Sequence, residues 1–176
     1  MRNKTLGLLA IVSLALGIAI ACSKQSSHSV AYEDEVKNAL TQAELTDVKV
    51  SEDKDKNTIT LSGSVHSEQA KEDAGRISQQ AAGSRTIVNE VSVQPVGAES
   101  EAKTVANNTD DAIEKNYKAA LTAHGLAKQD INYDAKNGVL VLAGSVKSPP
   151  QRQEAQKIAQ AVPNVQQVVN QIEVKR

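Results

Sequence analysis

The chain has 176 residues, with 20 Lys and Arg against 21 Asp and Glu, one cysteine, three tyrosines and neither Trp nor Phe. Near-neutral charge with so few stacking rings disfavours nucleic-acid binding, and a lone cysteine excludes an internal disulfide. Any core has to come from Val, Ile, Leu and Ala.

Arg2 and Lys4 precede an apolar run, Leu6 to Ile20, of signal-peptide length. A membrane-spanning helix needs roughly 20 apolar residues, so residues 1–21 are expected to be an export signal. The run ends in Ala19-Ile20-Ala21-Cys22. This resembles a bacterial lipobox, in which Cys22 would be diacylated on sulfur and become the mature N-terminus. Ala19 stands where Leu is usual, and ordinary secretion with an incidental cysteine is the alternative. Ser23, being other than Asp, implies by the same resemblance delivery to an outer membrane where one exists. Each buried CH₂ of an acyl chain contributes roughly 0.8 kcal/mol, so several chains hold where one does not. Residues 22–29 are polar and read as a tether.

The rest is written twice, 81 positions apart: Gly63, Ser64 and Val65 return as Gly144, Ser145 and Val146, and Val88 and Asn89 as Val169 and Asn170. Such an offset means two copies of one small domain, here 30–94 and 109–176, joined by a polar linker, 95–108. Each copy opens at helical spacing, with Tyr32, Val36 and Leu40 in one and Ile113, Tyr117 and Leu121 in the other. Asp110 and Asp111 favour the second helix's start, and Gly125 its stop. Alternation at Val48 and Val50, and at Ile131 and Tyr133, predicts strands. Asn137-Gly138 predicts a tight hairpin turn; the first copy has a longer charged turn, Ser51 to Asn57. Returning strands are expected to end at Gly63 and Gly144. Ser67 and Ser148 then read as N-caps, the latter with Pro149 and Gln151 in a capping-box pattern. Apolar helix stripes follow, then final strands Thr86–Val93 and Gln166–Val174. The expected fold is α+β: two tandem αββαβ domains, each a three-stranded sheet with two helices on one face. The sequence leaves open where the third strand joins.

Val139 to Val146 reads Val-x-Leu-x-Gly-x-Val, and Val165 to Val174 reads Val-x-x-Val-x-Asn-x-Ile-x-Val. With the preceding strand and turn, these resemble the BON domain, the bacterial "OsmY and nodulation" module. Ile59 to Val65 and Ile87 to Val93 carry the pattern in the first copy, which departs at its turn and at Gly83-Ser84-Arg85. The resemblance implies a non-enzymatic dual-domain envelope lipoprotein, with phospholipid contact the activity usually proposed.

The residues themselves offer little chemistry. Gly63 and Gly144 read as positions of positive φ or close packing, and Asn89 and Asn170 as structural hydrogen bonders. His28, His66 and His124 share no ligand spacing, and no cysteine remains to join them in a metal site. No cofactor motif, nucleophile elbow or carboxylate pair stands out. Charge says more. Without Arg2 and Lys4 the chain keeps 18 basic and 21 acidic side chains; residues 30–94 hold 7 and 12, residues 109–176 hold 9 and 7. Only the second copy suits an anionic surface, through Lys115, Lys118, Lys128, Lys147, Arg152 and Lys157, with Lys175 and Arg176 beyond. The plain reading is a solvated face, and the shortage of aromatic anchors favours it.

Domains of this size bury roughly 60% of their unfolded surface, so modest stability is expected, and packing of the two domains on each other stays open. The leading expectation is a lipid-anchored envelope protein, facing the periplasm, that binds phospholipid head groups or envelope components. The alternative is a structural or chaperone-like module that binds proteins.

Overall fold

The computed structural model describes residues 31–175. The expected signal, Cys22 and the tether lie outside the described residues, as does Arg176. The first domain runs α1 (Tyr32–Gln42), β1 (Val48–Asp53), β2 (Thr58–Val65), α2 (Glu68–Ala81), β3 (Thr86–Asn89) and β4 (Ser92–Val93). The second repeats the order as α3 (Glu99–Ala123), β5 (Asp130–Lys136), β6 (Val139–Val146), α4 (Pro149–Gln160), β7 (Gln167–Asn170) and β8 (Glu173–Val174). The α+β architecture expected from the sequence is present in both copies.

The join of the final strand is now visible. β1 pairs antiparallel with β2, and β3 and β4 both run parallel to β2, so β2 is central. The second domain matches, with β6 central. β3 and β4 form one strand interrupted at Glu90-Val91, and the repeated asparagine makes the interruption. The Asn89 carboxamide oxygen accepts from the Val91 N–H (3.4 Å), while its amide donates to Lys71 O on α2 (2.9 Å). Asn170 does the same with Ile172 N–H (3.1 Å) and Arg152 O on α4 (3.3 Å). A side-chain acceptor two residues back competes with the ladder and turns the strand.

Two helices cover one face of each sheet. In the first domain Val36 and Leu40 of α1 and Ala74 of α2 pack on Ile59 and Leu61 of β2. In the second, Tyr117, Leu121, Ala155 and Ile158 pack on Leu140 and Leu142. The cores are separate, yet both domains belong to a single compact unit. They meet through the opposite sheet faces, where Val88, Val139 and Val169 form a small third cluster with Val141 against it. The pleat sends alternate residues of β6 to the two sides, so this strand is apolar on both.

Four local expectations are corrected. Gly63 (φ +105°) and Gly144 (φ +96°) lie inside β2 and β6 rather than at strand ends. A Cβ there would run into the carbonyls of Asp47 and Asp130, so the chain continues only because no side chain is present. Ser148 occupies the N-cap position without a capping bond; instead Gln151 Oε1 accepts from the Lys147 N–H (3.0 Å). Ser67 does cap, accepting from Ala70 N–H (3.2 Å). The last correction concerns α3, which starts at Glu99, so most of the expected linker, residues 99–108, is helical. With 25 residues it is about 37 Å long. Beyond Gly97 nothing breaks it, and Asp110, read as a favourable start, is mid-helix. Its carboxylate faces the second domain's hairpin and accepts from Asn137 N–H (2.7 Å) and Gly138 N–H (3.0 Å).

Candidate functional site

The six basic side chains expected at an anionic surface are all exposed. Lys115 and Lys118 lie on the solvent side of α3, because Ile113, Tyr117 and Leu121 take its inner side. Lys128 sits in the turn into β5 and Lys147 in the turn out of β6. Asp130 pairs with Ser145 in the hairpin, so these two lysines share its open end, beside the Asp130 carboxylate that accepts from the Ser145 hydroxyl (3.2 Å). Arg152 and Lys157 are on α4. Arg152 is set apart, donating to Asn170 O (3.2 Å) and lining a cleft between the domains. No one pocket unites the six.

Sequence reasoning missed the seam itself, where the polar side chains are more firmly engaged. Lys71 Nζ donates to Asn137 O (2.9 Å) and Gln166 Oε1 (3.1 Å). Lys136 pairs with Glu90 (2.8 Å), and Asn137 donates to Glu90 O (2.8 Å). Gln167 spends its whole carboxamide on the β3 edge: Oε1 accepts from Asn89 N–H (3.2 Å) and Nε2 donates to Ile87 O (2.6 Å). A signal for these residues existed, since they are positions where the two copies disagree. Asn137 answers to Lys56, Gln167 to Thr86, and Lys71 to Arg152. In a two-fold arrangement identical copies would make each contact twice, so differences between them accompany a contact made once.

A cavity of about 560 Å³ lies along this seam, bounded by Glu68, Lys71, Val93, Val105, Asp110 and Val165 among others. Lys71 is only 8% exposed. Burial pushes its ammonium below the ordinary lysine range, opposed by the Glu68 and Asp110 carboxylates. In the cavity wall Lys71, Asn137, Gln166 and Asp110 are already bonded to one another, which suits holding two domains together more than activating a reactant.

The tyrosines are equally committed. Tyr117 is fully buried, donates to Ala155 O (3.2 Å) and meets Tyr133 edge to face at 5.1 Å. Burial raises its phenol well above the usual range. Tyr32 lies under the Arg85 guanidinium at 4.5 Å, and Arg85 also pairs with Glu52. The first copy's departure at Gly83-Ser84-Arg85 thus has a structural use. His66 Nδ1 meets Gln94 O (2.9 Å) and His124 Nδ1 meets Glu154 (3.1 Å), each on its own.

Residues 30–95 and 109–176, which hold the two αββαβ units, each match the BON domain model, and the chain belongs to the BON domain family. It is 30% identical over 131 residues to osmotically-inducible protein Y of Escherichia coli (strain K12), a match covering 74% of this chain and 63% of that protein. The chain therefore spans less than two thirds of the length of that relative. Among solved structures, the C-terminal domain of CdsD, the structural protein of the Type III secretion system of Chlamydia trachomatis, overlaps 84% of this chain and 98% of its own, at 12% identity and a TM-score of 0.34. A second CdsD structure gives 81% and 91%, at 12% identity and 0.35. Overlap at that level carries no weight for fold or function.

Proposed function

We propose that this chain is a non-enzymatic protein of the bacterial envelope, anchored by acyl chains on Cys22, whose second domain rests on anionic phospholipid head groups. Family membership and the likeness to an osmotically inducible protein support a role in envelope integrity under osmotic stress, on the periplasmic side and at the outer membrane where one exists. The observation that carries the lipid reading is the contrast between basic groups. Lys71 is buried in the seam and Lys136, though exposed, is paired with Glu90, whereas Lys115, Lys118, Lys128, Lys147 and Lys157 stand exposed on the second domain.

The contact is electrostatic in this reading. Each of the three tyrosines packs within its own domain, leaving no ring among the described residues to anchor in the interface. Each basic residue near an anionic surface contributes about 1 kcal/mol, falling off within a Debye length. The unlipidated chain is therefore expected to sediment with phosphatidylglycerol vesicles at low salt and to be released at physiological salt. Lys115→Glu combined with Lys118→Glu should weaken partitioning about tenfold or more. Equal binding to phosphatidylcholine vesicles, or none to either, would remove the lipid reading and favour a protein-binding role.

A further inference from the structure

The seam has the form of an isologous contact with its two halves no longer alike. In such a contact residue i touches j and j touches i, and here the repeat mates Val88 and Val169 lie in one cluster at its centre. On one side Lys71, Ile87 and Asn89 of the first domain meet Asn137, Gln166 and Gln167 of the second. On the other side the mates of these residues, among them Arg152, Val168, Asn170, Lys56 and Thr86, line a cleft of about 380 Å³. A groove of about 350 Å³ also remains over the Lys71 half. Volume therefore does not distinguish the halves. The strand edge does.

At the start of β7 the N–H groups of Gln166 and Gln167 both donate to Gly138 O of the hairpin turn, and just past its end Gln171 N–H donates to Leu142 O of β6. Alternation along the ladder then turns the N–H of Asn170 and the carbonyl of Val168 away from the sheet. Their first-copy mates, Asn89 N–H and Ile87 O, are met by the carboxamide of Gln167. Across the seam the place of Gln167 is taken by Thr86, whose side chain carries no amide to offer. One half of the molecule therefore holds a built-in occupant, and its chemistry says what the other half lacks: a donor and an acceptor at the spacing of a strand rung. The cleft walls agree, with Lys56 and Arg152 balanced by Asp55 and Glu173, so nothing there draws an ion in preference to a neutral dipole.

We propose that the β7 edge, at Val168 O and Asn170 N–H, is a docking site for the backbone of an extended polypeptide segment, which adds to the sheet as a further strand. Edge addition of this kind takes its affinity from main-chain bonds, and an open edge strand is a template for it. Thr86→Gln should plug the site by giving the second half the carboxamide that the first half has.

The test uses the chain expressed without residues 1–22, followed residue by residue in NMR spectra. The probe is a blocked pentapeptide of alternating valine and glutamine at millimolar concentration. Saturable shifts centred on Asn170 are expected, at least about tenfold weaker for the same peptide N-methylated on its backbone, since main-chain donors are what the edge reads. They should vanish in Thr86→Gln. Independently of any peptide, hydrogen exchange at Asn170 N–H should slow in Thr86→Gln toward the rate at Asn89, which also shows that the variant is folded and the site plugged. Absence of shifts at Asn170, shifts unchanged by N-methylation or by Thr86→Gln, equal shifts with acetamide, or unaltered exchange at Asn170 would each overturn the proposal.

Discussion

Ser78 and Ala159 hold the same place in the two copies, both wholly buried on a core-facing helix. The Ser78 hydroxyl has no hydrogen-bond partner. An unmet buried donor costs free energy that removing the group returns. Ser78→Ala is therefore expected to raise stability by about 1 kcal/mol, read as a higher melting temperature; a lower one would mean that the hydroxyl is bonded after all. Tyr117 illustrates the opposite case. Its repeat mate is Val36, and the larger polar ring is tolerated because its hydroxyl reaches Ala155 O. The repeated glycines and asparagines belong to the same scale. Their conservation between copies reflects backbone demands, a close carbonyl in one case and a strand break in the other, so no ligand is needed to explain them.

Among the elements, α3 departs most from its sequence reading, and the two hairpin turns show why. The first turn closes itself. Asp53 accepts from Asp55 N–H (3.1 Å) and Lys56 N–H (3.0 Å), and Arg85 donates to Asn57 Oδ1 (2.9 Å). The Asn137-Gly138 turn is only two residues long, with both at positive φ, and it turns its N–H groups toward Asp110. The helix has to extend back past residue 110 to hold that carboxylate in place, which a polar linker composition does not announce. Asp110→Ala should cost about 2 kcal/mol, because it removes charge-assisted bonds to two backbone donors. Urea unfolding measures the loss, and faster exchange at Asn137 and Gly138 localises it. An unchanged midpoint would mean that water replaces the carboxylate without penalty.

For the molecule as a whole, the seam decides whether two small domains unfold separately or together. Val88 belongs to neither main core and sits in the cluster between them. Val88→Asp should place a carboxylate among valines and uncouple the domains while leaving each interior intact. Calorimetry is expected to show one unfolding peak for the parent chain and a broadened or split one for the variant. A single peak of full cooperativity in the variant would argue that α3, which joins the two domains in sequence, carries the coupling instead. The same seam divides the basic residues: Lys136, which counts toward the second domain's positive charge, is neutralised by Glu90 of the first. Charge counted per domain therefore overstates what a membrane would meet.

The duplicated order of helices and strands, the inward stripes, the Asn-Gly turn and the α+β class were legible in the amino-acid sequence alone. Each depends on groups a few positions apart, where period and turn chemistry act directly. The parallel join of the third strand, the second apolar face of β6, the clasp of Asp110 and the uneven seam came only with the folded chain. Gln167 and Ile87 are 80 positions apart, and nothing in local periodicity brings them together. What pairs them is the packing of one finished sheet on another, and that packing leaves the rung at Asn170 open while closing its mate at Asn89.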